Sequence, residues 1–146
     1  MDNSIKYKIG LDFHGVISDM PEFFSFFTNV MVNAGCEIHI LTGGFTDTDL
    51  QLLKDKDIKY THLFSIIEYH RAKGTPTYGK HPKFGFDMIS DDEWDRTKGE
   101  YCKEHNIDFH IDDTLLYNKF FETPFCRFWS HNNHGKPLHK DPRYLD

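Results

Sequence analysis

Residues 9–19 read IGLDFHGVISD, and the change of character at Asp12 decides the fold. Tyr7 to Leu11 is a short run biased toward apolar residues, as a strand is, and it stops at an aspartate. Phe13 to Asp19 follows as a loop. Pro21 suits the first turn of a helix, with Asp19 just upstream as a candidate cap. Phe23, Phe24, Phe26, Phe27, Val30 and Met31 then recur at helical spacing, and Gly35 closes that helix at about Ala34.

The same alternation carries on down the chain. Cys36–Leu41 reads as a second strand that stops at Thr42-Gly43-Gly44, and Thr46–Lys56 as a second helix with Leu50, Leu52 and Leu53 as its apolar contacts. Tyr60–Ile67 (YTHLFSII) reads as a third strand. Residues 68–93, rich in Gly, Pro, His and Lys, show no clear period and are expected to form a long loop or flap. Trp94–His105 is expected to be a helix and Ile107–Ile111 a fourth strand ending at Asp112-Asp113. Leu115–Glu122 is expected to form a short helix, Phe125–Trp129 a last strand, and residues 130–146 a polar tail. Strands alternating with helices imply an α/β fold: one Rossmann-like, mostly parallel sheet with helices on both faces and no large cap domain.

A chain of 146 residues fits a single domain that buries roughly two thirds of its unfolded surface. Fourteen phenylalanines and a hydrophobic fraction of 38% supply a core and argue against disorder. The net charge of −6 disfavours a nucleic acid partner, although a local basic patch remains compatible with it. Cys36, Cys102 and Cys126 are odd in number and far apart, the pattern of reduced thiols rather than a disulfide framework or zinc knuckle. The segment MDNSIKYKIG is too polar for a signal peptide, and no apolar run approaches the ~20 residues that span a bilayer. The chain is therefore read as soluble and cytoplasmic, with no membrane partner. Ten histidines are many; His131, His134 and His139 in the tail are read as solvated residues.

In a parallel sheet, ligands gather beyond the carboxyl ends of the strands. Asp12, Thr42, and Asp112 with Asp113 would share that edge. Several carboxylates together call for a cation, and hard oxygen ligands suit Mg²⁺ held with a substrate phosphate. Asp12 would then be placed to attack phosphorus and form an aspartyl phosphate. The loop from Phe13 offers backbone N–H groups to phosphate oxygens, with Gly15 permitting close approach. Thr42 adds a hydroxyl, Gly43 a further backbone donor, and one lysine should balance the charge of the transferring group.

These stretches resemble the haloacid dehalogenase superfamily. IGLDFHGVISD resembles its first motif, IHILTGG (residues 38–44) its second, and IDFHIDDT (residues 107–114) its acidic fourth, with Lys98 placed like the lysine of the third. The order Asp, Thr, Lys, Asp-Asp also differs from a response-regulator receiver, which opens with its acidic pair and ends with its lysine. The resemblance spans Lys8 to about Trp129. It implies that Asp12 is nucleophile and metal ligand, that the His14 carbonyl and Asp113 complete the Mg²⁺ site, and that Asp112 is a ligand or outer partner. Thr42 and Lys98 would hold the phosphoryl group. Arg71, Lys73, Lys80, Arg96 and Lys103 are the competing cations.

The implied activity is a Mg²⁺-dependent phosphomonoester hydrolase of the capless type, acting on a phosphorylated substrate of either size class. His14 departs from the pattern. Phosphatases of the superfamily place the acid/base aspartate there; imidazole also exchanges protons near neutral pH. The alternatives kept open by this departure are hydrolysis of a carbon–halogen or carbon–phosphorus bond, and a catalytically weak Mg²⁺-binding relative used for partner binding.

Overall fold

The computed structural model of the protein describes residues 6–130. Five strands form one sheet: β1 (Lys8–Asp12), β2 (Glu37–Thr42), β3 (His62–Ser65), β4 (Phe109–Asp112) and β5 (Phe125–Arg127). Their spatial order is β3-β2-β1-β4-β5, and all four pairings are parallel. The helices are α1 (Pro21–Asn33), α2 (Asp47–Asp55), α3 (Ile66–Lys73) and α4 (Asp91–Glu104). The fold is the expected α/β, Rossmann-like sheet, without a large cap. Among the described residues no helix is long and apolar enough to cross a membrane.

A strand turns successive side chains to opposite faces, and this period distributes the core. Ile9 and Leu11 of β1 pair in register with Ile38 and Ile40 of β2, and all four meet Phe24 of α1 and Leu53 of α2 on one face. On the other face Leu41 packs with Tyr101 and Cys102 of α4 and with Ile107. That second face is unusually polar, because Gly10, His39 and His110 occupy the alternate positions. Gly10 is required: a Cβ there would collide with the imidazole of His110, its register partner on β4.

Three expectations need correction. The run YTHLFSII is not strand throughout, because Ser65 caps a helix: its Oγ accepts from the Glu68 N–H at 3.2 Å, and Ile66 and Ile67 open α3. The continuous apolar run hid this boundary, and the cap wins over β propensity. Helix α3 then continues to Lys73, and α4 starts at Asp91 on its own cap, Ser90. The loop expected at residues 68–93 is thus confined to 74–90, where Lys80 and Asp87 form an isolated antiparallel bridge. The helix expected over Leu115–Glu122 is a single 3₁₀ turn, Asn118–Phe120. Of the tail only Ser130 lies within the described residues; it is buried and donates to Asp19.

Leu11→Ala should lower stability by about 2–5 kcal/mol, since Leu11 is wholly buried against both helices of its face. Phe26→Ala, at a side of α1 that is 68% exposed, should change it by less than about 0.5 kcal/mol. Urea unfolding of the two variants checks the contrast.

Candidate active site

The chain moves outward from β1 through β2 to β3, then returns to the other side of β1 for β4 and β5. At such a reversal the crossovers diverge and leave a crevice beyond the strands' carboxyl ends. β1 ends in that crevice with Asp12, β4 with Asp112, and Asp113 follows at once. Neighbouring β2 ends with Thr42. The sequence-derived acidic residues and the threonine are therefore neighbours in space.

Lys98 joins them from below. Helix α4 buries Lys98, Tyr101 and Cys102, residues three and four apart that form one stripe toward the sheet. The Lys98 ammonium donates to Asp12 Oδ1 and to Asp112 Oδ2, each at 2.9 Å, and is 3% exposed. It also lies 5.2 Å from the centroid of the Tyr117 ring. The competing cations are engaged elsewhere: Arg71 with Glu68, Lys80 with Asp87, Arg96 with Asp92, Lys103 with Glu122, and Lys73 over the Tyr69 ring.

One ammonium cannot neutralise three carboxylates, and their titration reflects it. Burial and then Asp112 hold the Asp12 carboxyl well above its ordinary value. Burial, again followed by Asp112, raises Asp113 to about 6. Burial would raise Asp112 as well, but Lys98 and His110 outweigh it and keep this group ionised far below its usual range. For Lys98 the order is similar: burial alone would lower it, and Asp112 with Asp12 lift it above the ordinary lysine range. The result is a fixed ion triad with a further carboxylate, Asp113, beside it.

The donor set fits a divalent cation. Oxygen atoms of Asp12, Asp112 and Asp113 lie within 4.8 Å of one another. Asp112 is already saturated: Oδ2 accepts from Lys98 and from His110 Nε2 at 3.0 Å, and Oδ1 from the Thr114 N–H at 3.3 Å. Burial holds His110 below the ordinary histidine range, so this imidazole is neutral and donates through Nε2. Asp12 and Asp113 offer the remaining carboxylate oxygens, hard donors of the kind Mg²⁺ takes. Gly15 makes room for Asp113. Its φ is 83°, and a Cβ there would overlap the Asp113 carboxylate.

His14 stands at the mouth, its side chain 56% exposed. Its Nδ1 lies 3.3 Å from Thr42 Oγ1, and its Nε2 lies 3.1 Å from Asp49 Oδ2. Asp49 is held in turn by the cap of α2, where it accepts from the Thr46 N–H and donates its own N–H to Thr46 Oγ1. The backbone donor expected at Gly15 is engaged, since that N–H donates to Ser18 Oγ at 3.0 Å. Phe13 is buried and its carbonyl accepts from Ser18. Gly43 packs its Cα against the Trp94 ring, and Trp94 Nε1 donates to Tyr117 Oη at 3.2 Å.

Asp49, Trp94, Tyr117 and His110 are absent from the sequence-derived set. Asp49 had a signal, the T-x-x-D spacing of a helix cap, which conceals a second role. His110 stands two residues before Asp112 on β4, so the strand period already puts both on one face, whereas Trp94 and Tyr117 approach through tertiary packing alone. A cavity of about 170 Å³, lined by Ile67, His70, Arg71, Thr75, Asp87 and Trp94, shares Trp94 with the site and none of its carboxylates.

No protein-family model matches the chain, and no curated protein does. Among solved structures it is similar to the crystal structure of a glycosyltransferase from Rickettsia africae ESF-5, at 14% identity and a TM-score of 0.46. That match covers 89% of this chain and 33% of the other, so the chain spans about a third of that protein's length.

Asp113→Asn should stabilise the metal-free protein at pH 8. A carboxyl raised from 3.8 to about 6 favours the folded state below pH 3.8, and that advantage is lost as pH rises through 6. The full cost is on the order of 3 kcal/mol before solvent screening. The gain from the variant should therefore shrink as pH falls from 8 toward 4, which thermal melts in EDTA would show.

Proposed function

We propose that the protein is a Mg²⁺-dependent phosphomonoester hydrolase that works through an aspartyl-phosphate intermediate on Asp12. The observation that carries this reading is the Lys98 ammonium bound between Asp12 and Asp112, with Asp113 beside them and Thr42 on the adjoining strand. Nothing about stability calls for Asp12, Asp112 and Lys98 at 8% exposure or less with a third carboxylate, Asp113, beside them. A ligand that is itself charged does.

The division of labour follows from what each atom already holds. Lys98 fixes Asp12 through Oδ1, which orients the carboxylate. Asp12, Asp113 and the His14 carbonyl would hold Mg²⁺, and Asp112, saturated by Lys98, His110 and Thr114, would orient the set from outside it. Bound there, Mg²⁺ supplies charge neutralisation for the phosphoryl oxygens. Asp12 attacks phosphorus, the ester P–O bond breaks, and the leaving oxygen takes a proton. Thr42 Oγ and Lys98 face the phosphoryl oxygens.

His14 is the group placed to give that proton. Asp49 on Nε2 fixes the ring, leaving Nδ1 toward Thr42 and the reacting group. In the second half, His14 takes a proton from water, the water oxygen bonds to phosphorus, and the Asp12–phosphorus bond breaks. Phosphate leaves and Asp12 is restored.

Phosphate release from a panel of alkyl and aryl phosphomonoesters, with Mg²⁺ and with EDTA, tests the reading. Activity should require Mg²⁺ and vanish in Asp12→Asn, which loses stability with the Lys98 ion pair but should remain folded at the assay temperature by circular dichroism, its amide oxygen still able to accept from Lys98. Undiminished turnover in that variant would end the proposal. His14→Ala should slow alkyl esters by about 10²–10⁴-fold and aryl esters far less, because only the poor leaving group needs a proton. Asp49→Asn should shift the same ratio in the same direction. Equal losses on both ester types would remove His14 from acid catalysis.

A further inference from the structure

The opposite end of the sheet holds a second group of metal-ligating side chains. Glu37 opens β2, and His39, two residues on, projects from the same face. His62 opens β3 and is the register partner of His39. Sequence offers no sign of this group, because parallel pairing brings His62 across 22 intervening residues to His39. One ligand atom from each of the three residues lies within 4.8 Å of the other two.

The arrangement is rooted in the interior and open on one side. His39 is 1% exposed, while Glu37 and His62 reach solvent. His39 Nδ1 lies 2.7 Å from Tyr101 Oη, which fixes the ring and turns Nε2 toward Glu37 Oε1 at 2.8 Å. Such a partner on the second nitrogen is what orients a metal-bound histidine. Thr61 Oγ1, itself anchored to the Ile38 backbone, tethers His62 through Nδ1 at 2.8 Å. The two imidazoles stack at 4.0 Å and 5°; their nitrogen lone pairs lie in the ring planes, so the exposed His62 ring has to turn out of the stack for its Nε2 and that of His39 to converge on one ion. Lys8, the register partner of Glu37, extends its ammonium to the His105 carbonyl at 3.4 Å.

We propose that Glu37, His39 and His62 bind Zn²⁺, with water completing the coordination, and that the ion clamps the edge strand β3 to β2. Two imidazoles and one carboxylate are the donors that borderline cations take, whereas the all-oxygen set at Asp12 and Asp113 suits Mg²⁺. Along β2, His39 lies two residues and Glu37 four residues from Leu41, the register partner of Asp12, which separates the two centres by roughly 7–13 Å at about 3.3 Å per residue. The site is independent of the proposed hydrolysis. Its effect is on the stability of β3, a four-residue strand that pairs on one side only.

Co²⁺ reports nitrogen ligands through its visible absorption, so the test titrates the metal-free full chain with Co²⁺ in excess Mg²⁺, then displaces it with Zn²⁺. The expected result is one equivalent bound, displaced by Zn²⁺, with a higher melting temperature in Zn²⁺. Affinity should fall at least 10-fold in His62→Ala and Glu37→Gln, and about 10-fold in Tyr101→Phe. His62 is exposed, so the metal-free melting temperature of His62→Ala should match the parent, separating lost binding from misfolding. Asp113→Asn and a triple alanine variant of His131, His134 and His139 should bind as the parent does. The proposal is overturned if no Co²⁺ binds under Mg²⁺. It is equally overturned if His62→Ala and Glu37→Gln bind normally, or if either of the last two variants abolishes the signal.

Discussion

A lysine ammonium between two aspartates, at the junction of two parallel strands, is the contact on which the arrangement of the site depends. Lys98 is only 3% exposed, so its charge is balanced chiefly by Asp12 and Asp112. Removing one partner of such a buried set leaves an uncompensated charge and costs on the order of 3–5 kcal/mol. The requirement propagates outward. It sets the rotation of α4, the adjacency of β1 and β4, and the absence of a side chain at Gly10, where His110 must lie flat to reach Asp112.

The polar second face of the sheet follows from the same requirement. A parallel sheet normally buries apolar residues on both faces, but here β1, β2 and β4 present Gly10, His39 and His110 to α4. Each imidazole is held by a neighbour: His110 by Asp112, His39 by Glu37 and Tyr101. The stack of polar groups beneath α4 thus runs from one end of the strands to the other. Its upper end is rich in oxygen donors and its lower end in nitrogen, and this difference in donor chemistry is what separates the two proposed cations.

At the crevice mouth the electrostatics change, because the groups there meet water. Asp49 serves the cap of α2 and His14 at once, so the position of the imidazole is tied to the start of a helix rather than to a flexible loop. Trp94 and Tyr117 close the opposite side, joined by a hydrogen bond and packed on Gly43 and Lys98. Burial pushes the Tyr117 hydroxyl up to about 12, so it remains a neutral donor and acceptor beside the ion triad.

Local pattern by itself determined the parallel α/β sheet and the strand ends at Asp12, Thr42 and Asp112, because strand period, turn residues and helix caps are written in consecutive positions. Lys98 was one of several candidate cations, favoured by a family resemblance rather than by local pattern. The α3 boundary was hidden, since Ser65 acts as a cap only when Glu68 folds back onto it, and an apolar run such as FSII is compatible with either state. Tertiary structure alone decided which cation meets Asp12, that Asp112 is saturated while Asp113 is not, and that His39 stands against His62. Those outcomes depend on the register between strands and on the rotation of α4 over them. Both are settled by packing across the whole domain, and no local stretch of sequence encodes them.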